Sequence, residues 1–326
     1  MLRLMFFTDP HLADHGPLGR KDDYKNAVLA KLEWLMQEGY ERSVDQIICG
    51  GDWFHIKRPN HVSHELVSAT TAILKRSPQP IFTVAGNHDQ SPDGSHYRQP
   101  LAVLESANVV QILKPGVPYF TDERVVTLLS RPYNAQRTAD PEYYAPTENE
   151  LGLIAESEGT TVIMVAHGDV LPPGDERPYP YVNVDKIPGI EKIDLFLCGH
   201  IHENLGMSTI PGSPGLFINP ASLGRTARTQ ANYARQVQAV IIEVGGKDTP
   251  LHTTMIDVPM APAIEVFEAK GVDEKEPVSD GIQQFVTTLG QGLRVEQLTI
   301  DELLAGIDGL DQDVGRLVKL YLEESE

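Results

Sequence analysis

Three short apolar runs, each closed by side chains able to bind metal, constrain this chain most. They are "LRLMFFTD" (2–9), "DQIICGGD" (45–52) and "PIFTVAGNHD" (80–89). Longer amphipathic stretches, 22–39 and 61–76, separate them. In the first, Ala27, Leu29, Leu32, Leu35 and Met36 recur at roughly helical spacing. A shorter helix is predicted over 98–106. Strand and helix thus alternate, and parallel neighbours joined by right-handed crossovers are the arrangement that accepts this order. Six later runs follow: "RVVTLLSRP", "TVIMVAHGD", "DLFLCGH", "GLFINPAS", "VQAVIIEV" and 251–258. Few helical patterns lie between them, so a second sheet packed on the first is expected. The predicted class is α/β.

Two loops are long for a compact domain, and such loops are often functional. Residues 131–150 are polar and carry tyrosines. Residues 170–190 hold five prolines with Tyr179 and Tyr181. "VPMAPA" at 258–263 reads as a domain exit. The expected division is a catalytic domain at 1–260 and an acidic segment at 261–326. The latter is predicted to hold short amphipathic helices near 279–291, 299–306 and 311–324, and to serve as a cap or a docking site.

With 41% of 326 residues hydrophobic, the chain can bury a sizeable core. No run approaches the ~18 apolar residues of a membrane span. The sequence opens directly on the first strand, so no targeting leader is expected. Two cysteines point to a reducing, cytoplasmic setting. The net charge is −19, and 15 acidic against 5 basic residues in 261–326 supply −10 of it. A chain this acidic is a poor stand-alone binder of DNA phosphate.

The strand ends carry the chemistry. In order they finish with Asp9 and His11, Asp52, Asn87-His88-Asp89, His167-Gly168-Asp169, and His200 with His202. Carboxyl ends of parallel strands converge on one edge, where α/β folds place ligands. Carboxylate, imidazole and an amide oxygen together suit Mn²⁺, Fe²⁺ or Zn²⁺. Seven of these donors exceed the needs of one ion, and a pair sharing a carboxylate would use all seven. Two ions ~3.5–4 Å apart form a clamp for in-line displacement at phosphorus.

This ordered set resembles the calcineurin-like metallophosphoesterase superfamily over about residues 1–258. The resemblance implies a two-sheet αββα sandwich, here with a small acidic C-terminal helical extension. It implies two divalent ions, Mn²⁺ first, with Fe²⁺, Zn²⁺ or Mg²⁺ as alternatives. One ion would take Asp9, His11, Asp52 and His202. The other would take Asp52, Asn87, His167 and His200. It further implies a metal-bridging hydroxide attacking phosphorus in line, with His88 assisting the leaving group and Asp89 orienting His88.

"GGDWFHIKRP" and "PLAVLESANVV" resemble the SbcD-like nuclease subunits of DNA repair and recombination. That resemblance implies a DNA exonuclease or endonuclease, with His55 positioning DNA and an SbcC-like coiled-coil ATPase as partner. A homodimer stays open, and no membrane association is expected. Lys57, Arg58 and Arg225 are expected on the substrate. Arg20, Lys21, Arg131, Arg137, Arg228 and Arg235 would extend a basic rim. "INPASLGRTAR" is also similar to the Asn-Pro-Gly-Ser stretch of small phosphodiesterases. It keeps a small-molecule or cyclic-nucleotide phosphodiesterase as the alternative.

Overall fold

A computed structural model describes residues 1–268, apart from residues 18, 57–60, 92–93, 121–125, 157–158 and 246–250. The helices expected beyond 268 lie outside the described residues. So do Lys57 and Arg58.

The first half runs β1 (Leu2–Phe7), α1 (Tyr24–Glu41), β2 (Gln46–Cys49), α2 (His64–Leu74), β3 (Ile81–Thr83), α3 (Pro100–Ser106) and β4 (Val110–Ile112). The second half adds β5 (Tyr119–Phe120), β6 (Val126–Arg131), α4 (Pro141–Tyr144), α5 (Glu148–Ala155) and β7 (Thr161–His167). After them come β8 (Val170–Leu171), β9 (Val182–Asn183), β10 (Leu195–Gly199), β11 (Gly206–Thr209), β12 (Leu216–Asn219), α6 (Gln230–Ala234), β13 (Gln238–Val244), β14 (His252–Asp257) and α7 (Ala263–Val266). The three helices predicted in the first half are present, shifted by two or three residues at some ends. Asp23 caps α1 by accepting from the Asn26 amide, and Ser63 caps α2 in the same way.

Two six-stranded sheets result. One has the order β14-β13-β1-β2-β3-β4, the other β11-β12-β10-β7-β6-β5. The central pairs β1–β2, β2–β3, β6–β7 and β7–β10 are parallel. Antiparallel strands β13, β14, β5 and β11 flank them.

Period-two alternation divides each strand between two cores. Leu4 and Phe6 of β1 face the other sheet and pack with Ile163, Val165, Leu195 and Leu197. Met5 and Phe7 face outward with Val28, Leu32 and Leu35 of α1. On the far side, Met164, Phe196 and Phe217 pack under Tyr144, Val184 and Ile187. Both faces of each sheet are therefore covered, which is why the strands read as continuous apolar runs. This is the expected mixed α/β sandwich of two sheets. No helix among the described residues is long and apolar enough to cross a membrane.

Candidate metal and phosphoester site

The strand ends of both sheets meet at one place. Asp9 and His11 follow β1, Asp52 follows β2, and Asn87 to Asp89 follow β3. His167 ends β7, and His200 and His202 follow β10. Asp9, His11, Asp52 and His200 all have positive φ, at 51°, 48°, 55° and 90°. Non-glycine residues avoid this region, and such strain concentrates at functional sites. Gly86 is required for a different reason: a Cβ there would strike the Asp52 carboxylate.

Among the described residues three groups of donors form, one of them His11, His55 and His88, and the other two share Asp52. Ligand-type atoms of Asp9, His11, Asp52 and His202 lie within 4.8 Å of one another, and those of Asp52, His167 and His200 do the same. Asp52 belongs to both. Its Oδ2 is 3.5 Å from His11 Nε2 and 3.4 Å from His167 Nε2. Asn87 joins the second group, with Oδ1 3.0 Å from His200 Nδ1 and 3.3 Å from His167 Nε2.

Each of the four imidazoles turns one nitrogen inward and has a partner for the other. His167 Nδ1 donates to the Gly50 carbonyl at 2.6 Å. His200 Nε2 lies 3.4 Å from Asp169 Oδ1. His202 Nδ1 is 3.3 Å from Thr226 Oγ1, and His11 Nδ1 is 3.4 Å from His55 Nδ1. Second partners of this kind fix ring orientation and tautomer at metal sites. The donor set therefore fits divalent cations.

Electrostatics follow from burial and from the shared carboxylate. Burial, then the neighbouring His202, hold His11 well below its ordinary value. Burial alone would raise Asp52, but His167, with His11 and His88, outweighs it and keeps the carboxyl well below the usual range. The reciprocal effect on His167 overcomes burial and lifts it to about 9. Burial and then His88 push His55 down to about 4.

His88 sits at the edge of this site. Its ring centroid is 4.7 Å from that of His11 and 5.6 Å from that of His55, stacked on the latter. The expectation that Asp89 orients His88 is corrected. The Asp89 carboxylate accepts from three amides, those of Asp52 (2.7 Å), Trp53 (3.0 Å) and Gly86 (3.0 Å). It ties the loops after β2 and β3 together. His88 Nδ1 instead meets the His55 carbonyl at 2.5 Å.

The substrate-binding expectation is also corrected in part. Arg225 is 1% exposed. It donates to the Ala261 carbonyl and lies over the Phe267 ring, away from solvent. Most of the expected basic rim is occupied likewise. Arg131 is buried against Glu150, Arg235 is buried against Asn232 and Ser222, and Arg20 and Arg137 pair with Asp22 and Asp140. His55 does reach the site. Tyr179 lines a cleft of about 490 Å³ beside His200 and His202, together with Asp169 and Glu203.

Sequence reasoning gave no role to Asp169, Thr138 or Thr226. Asp169 stood in the His-Gly-Asp stretch and carried a readable signal. Thr138 carried none.

The sequence profile of the calcineurin-like phosphoesterase family matches residues 2–204, and the chain belongs to that family. Among solved structures, the chain is similar to TT1561 of Thermus thermophilus, at 14% identity and a TM-score of 0.50, over 79% of this chain and 99% of that one. It is also similar to the calcineurin-like phosphoesterase YfkN of Bacillus subtilis, at 15% identity and a TM-score of 0.47, over 89% and 98%. The first likeness concerns the fold. Family membership makes the chain a metal-dependent hydrolase of phosphoesters by class.

Proposed function

We propose that the chain is a two-ion phosphodiesterase and that DNA is its substrate, cut as an exonuclease or endonuclease. The observation that carries the two-ion reading is the single Asp52 oxygen placed between His11 and His167. Asp9, His11, Asp52 and His202 would hold one ion. Asp52, Asn87, His167 and His200 would hold the other. Mixed nitrogen and oxygen donors suit Mn²⁺, Fe²⁺ or Zn²⁺ better than Mg²⁺, which prefers oxygen. When bound, such ions lower the pKa of coordinated water and offset phosphate charge.

The chain's own residues supply the rest. His88 Nδ1–H donates to the His55 carbonyl, so the proton for the departing oxygen is assigned to Nε2 of the doubly protonated ring, which is left as the neutral Nδ1–H form. General acid assistance of this kind contributes ~10²–10⁴-fold. Asp89 keeps the His88 loop in register with Asp52 through its three amides.

The DNA assignment rests on the "GGDWFH" stretch, whose His55 stacks on His88. Weak electrostatic grip by this acidic chain would be made up by a partner, such as a coiled-coil ATPase docked on 261–326. One observation favours a second reading, a small or cyclic diester. Arg20, Arg131, Arg137, Arg225 and Arg235 are paired or buried, which removes much of the cationic rim that a phosphate backbone needs.

The test is turnover with Mn²⁺. End-labelled single- and double-stranded DNA would be incubated with the chain and with His88→Ala, beside bis-p-nitrophenyl phosphate and a 2′,3′-cyclic nucleotide. DNA cut by the parent and spared by the variant supports the nuclease. Intact DNA with hydrolysed small diesters moves the assignment to the second reading. Bound Mn²⁺ with no turnover of any diester overturns both.

A further inference from the structure

We infer that Thr138, Asp169 and His200 form a relay that selects the His200 nitrogen turned towards Asn87. Asp169 and Thr138 are then positioning residues for the second ion. The inference rests on the two-ion reading above.

His200 offers two different edges. Nδ1 faces Asn87 Oδ1 at 3.0 Å, and Nε2 faces Asp169 Oδ1 at 3.4 Å. An imidazole that gives its Nδ1 lone pair to a cation must carry its proton on Nε2. A carboxylate at Nε2 selects that tautomer and raises the basicity of Nδ1.

Asp169 is itself clamped. The Thr138 hydroxyl donates to Asp169 Oδ2 at 2.7 Å, and the Asp169 amide donates to the Thr138 oxygen at 3.1 Å. The exchange leaves the carboxylate with one oxygen for Thr138 and one for His200.

Thr138 comes from the polar, tyrosine-bearing loop between β6 and α5, and that loop is anchored from below. The Tyr144 hydroxyl donates to the Thr138 carbonyl at 2.9 Å, and the Tyr143 hydroxyl to the Pro132 carbonyl. Arg131 donates to the Tyr143 carbonyl at 2.8 Å and to both Glu150 oxygens. Gly168 leaves the space this arrangement uses, because a Cβ there would strike the Tyr144 hydroxyl. Tyr133 of the same loop lies with its ring 5.3 Å from that of His200. The loop thus reaches the site through a hydroxyl and a ring rather than a ligand.

Two measurements on the intact chain test this. Nitrogen NMR on the metal-free chain reads the His200 tautomer. Calorimetric titration with Mn²⁺ alone reads each ion. The parent is expected to show the Nε2–H form. Asp169→Ala is expected to lose that preference and to weaken one ion by about 10–100-fold, the cost typical of removing an outer partner. The other ion stays as in the parent. Thr138→Val is expected to give a smaller loss at the same ion, and Thr138→Ser to restore parental binding. An unchanged tautomer and unchanged titration in Asp169→Ala overturn the relay. If Asp169→Ala loses both ions through misfolding, the threonine pair decides, and equal affinity of Thr138→Val and Thr138→Ser overturns it. A parent chain that takes up no Mn²⁺ overturns the two-ion reading, and the tautomer then decides the relay by itself.

Discussion

The Nε2 atoms of His11 and His202 lie 2.8 Å apart, one in the loop after β1 and the other beyond β10. Two sheets therefore deliver like atoms to one point. Burial holds both imidazoles below their ordinary values, so both are neutral near pH 7. Neutral rings can share at most a hydrogen there, whereas a cation can use both lone pairs. His202→Ala is expected to weaken one ion by more than the ~10–100-fold of an outer-sphere change. Titration calorimetry with Mn²⁺ checks it, and parental affinity for both ions would count against the assignment.

The same site should exchange protons with metal. Asp52 lifts His167 to about 9 against the effect of burial, so the metal-free ring is charged at neutral pH. A ligand imidazole must be neutral. Ion uptake below pH 9 then expels a proton, and apparent affinity rises by up to about tenfold per pH unit until about 9. Metal-free stability runs the other way. A raised folded value contributes fully below the ordinary ~6.5 and is lost as pH rises through about 9. Calorimetry in two buffers of different ionisation heat reads the proton directly. Equal heats in the two buffers would remove this linkage.

The legible parts of the molecule share a physical cause. The candidate donors at the strand ends sit next to the apolar runs that place them, so the convergence of Asp9, Asp52 and His200 could be read from local pattern alone. The misreadings concern contacts across long separations. Asp89 adjoins His88 in sequence, yet its carboxylate turns to amides 36 and 37 residues away. Arg225 lies in a loop after a strand, which suggested exposure, but Ala261 and Phe267 return to cover it. Thr138 meets Asp169 across 31 residues with no periodicity to announce it.

His88 makes a prediction that depends on the leaving group. His88→Ala is expected to lower kcat on an alkoxide-releasing diester by ~10²–10⁴-fold. A p-nitrophenyl diester needs less protonation, so its loss should be much smaller. Ion stoichiometry should stay as in the parent, because His88 groups only with His11 and His55 and lies outside both donor groups that share Asp52; loss of an ion would make His88 a ligand instead. Equal losses on the two substrates would exclude a general acid role.

Asp89 should behave differently. Its carboxylate satisfies three amides and is fully buried. Asp89→Ala strands those donors at ~1–3 kcal/mol each, so the first effect is on stability. Urea denaturation of the metal-free chain is the measurement. A variant as stable as the parent but slow in catalysis would return Asp89 to a catalytic role.

The Arg131–Glu150 pair anchors the loop that carries Thr138, and its removal should be costly. The side chains are 3% and 0% exposed, with hydrogen bonds of 2.7 and 3.0 Å between them. Glu150 Oε2 also accepts from the Thr147 amide and hydroxyl, completing the cap of α5. Glu150→Ala leaves a buried guanidinium uncompensated, a loss of ~3–5 kcal/mol. Burial would raise the Glu150 carboxyl, but the Arg131 guanidinium and the Thr147 hydrogen bonds together outweigh it and hold the value down. A depressed carboxyl contributes above its ordinary ~4.3 and loses the contribution as pH falls through the folded value. Stability of the parent relative to Glu150→Gln should therefore shrink on acidification from pH 7 towards 3. Because the loop delivers Thr138 to Asp169, Glu150→Ala should also weaken the ion at His200 more than the ion at His202. A pH-independent gap between parent and Glu150→Gln would show that the carboxylate charge is not what Arg131 uses.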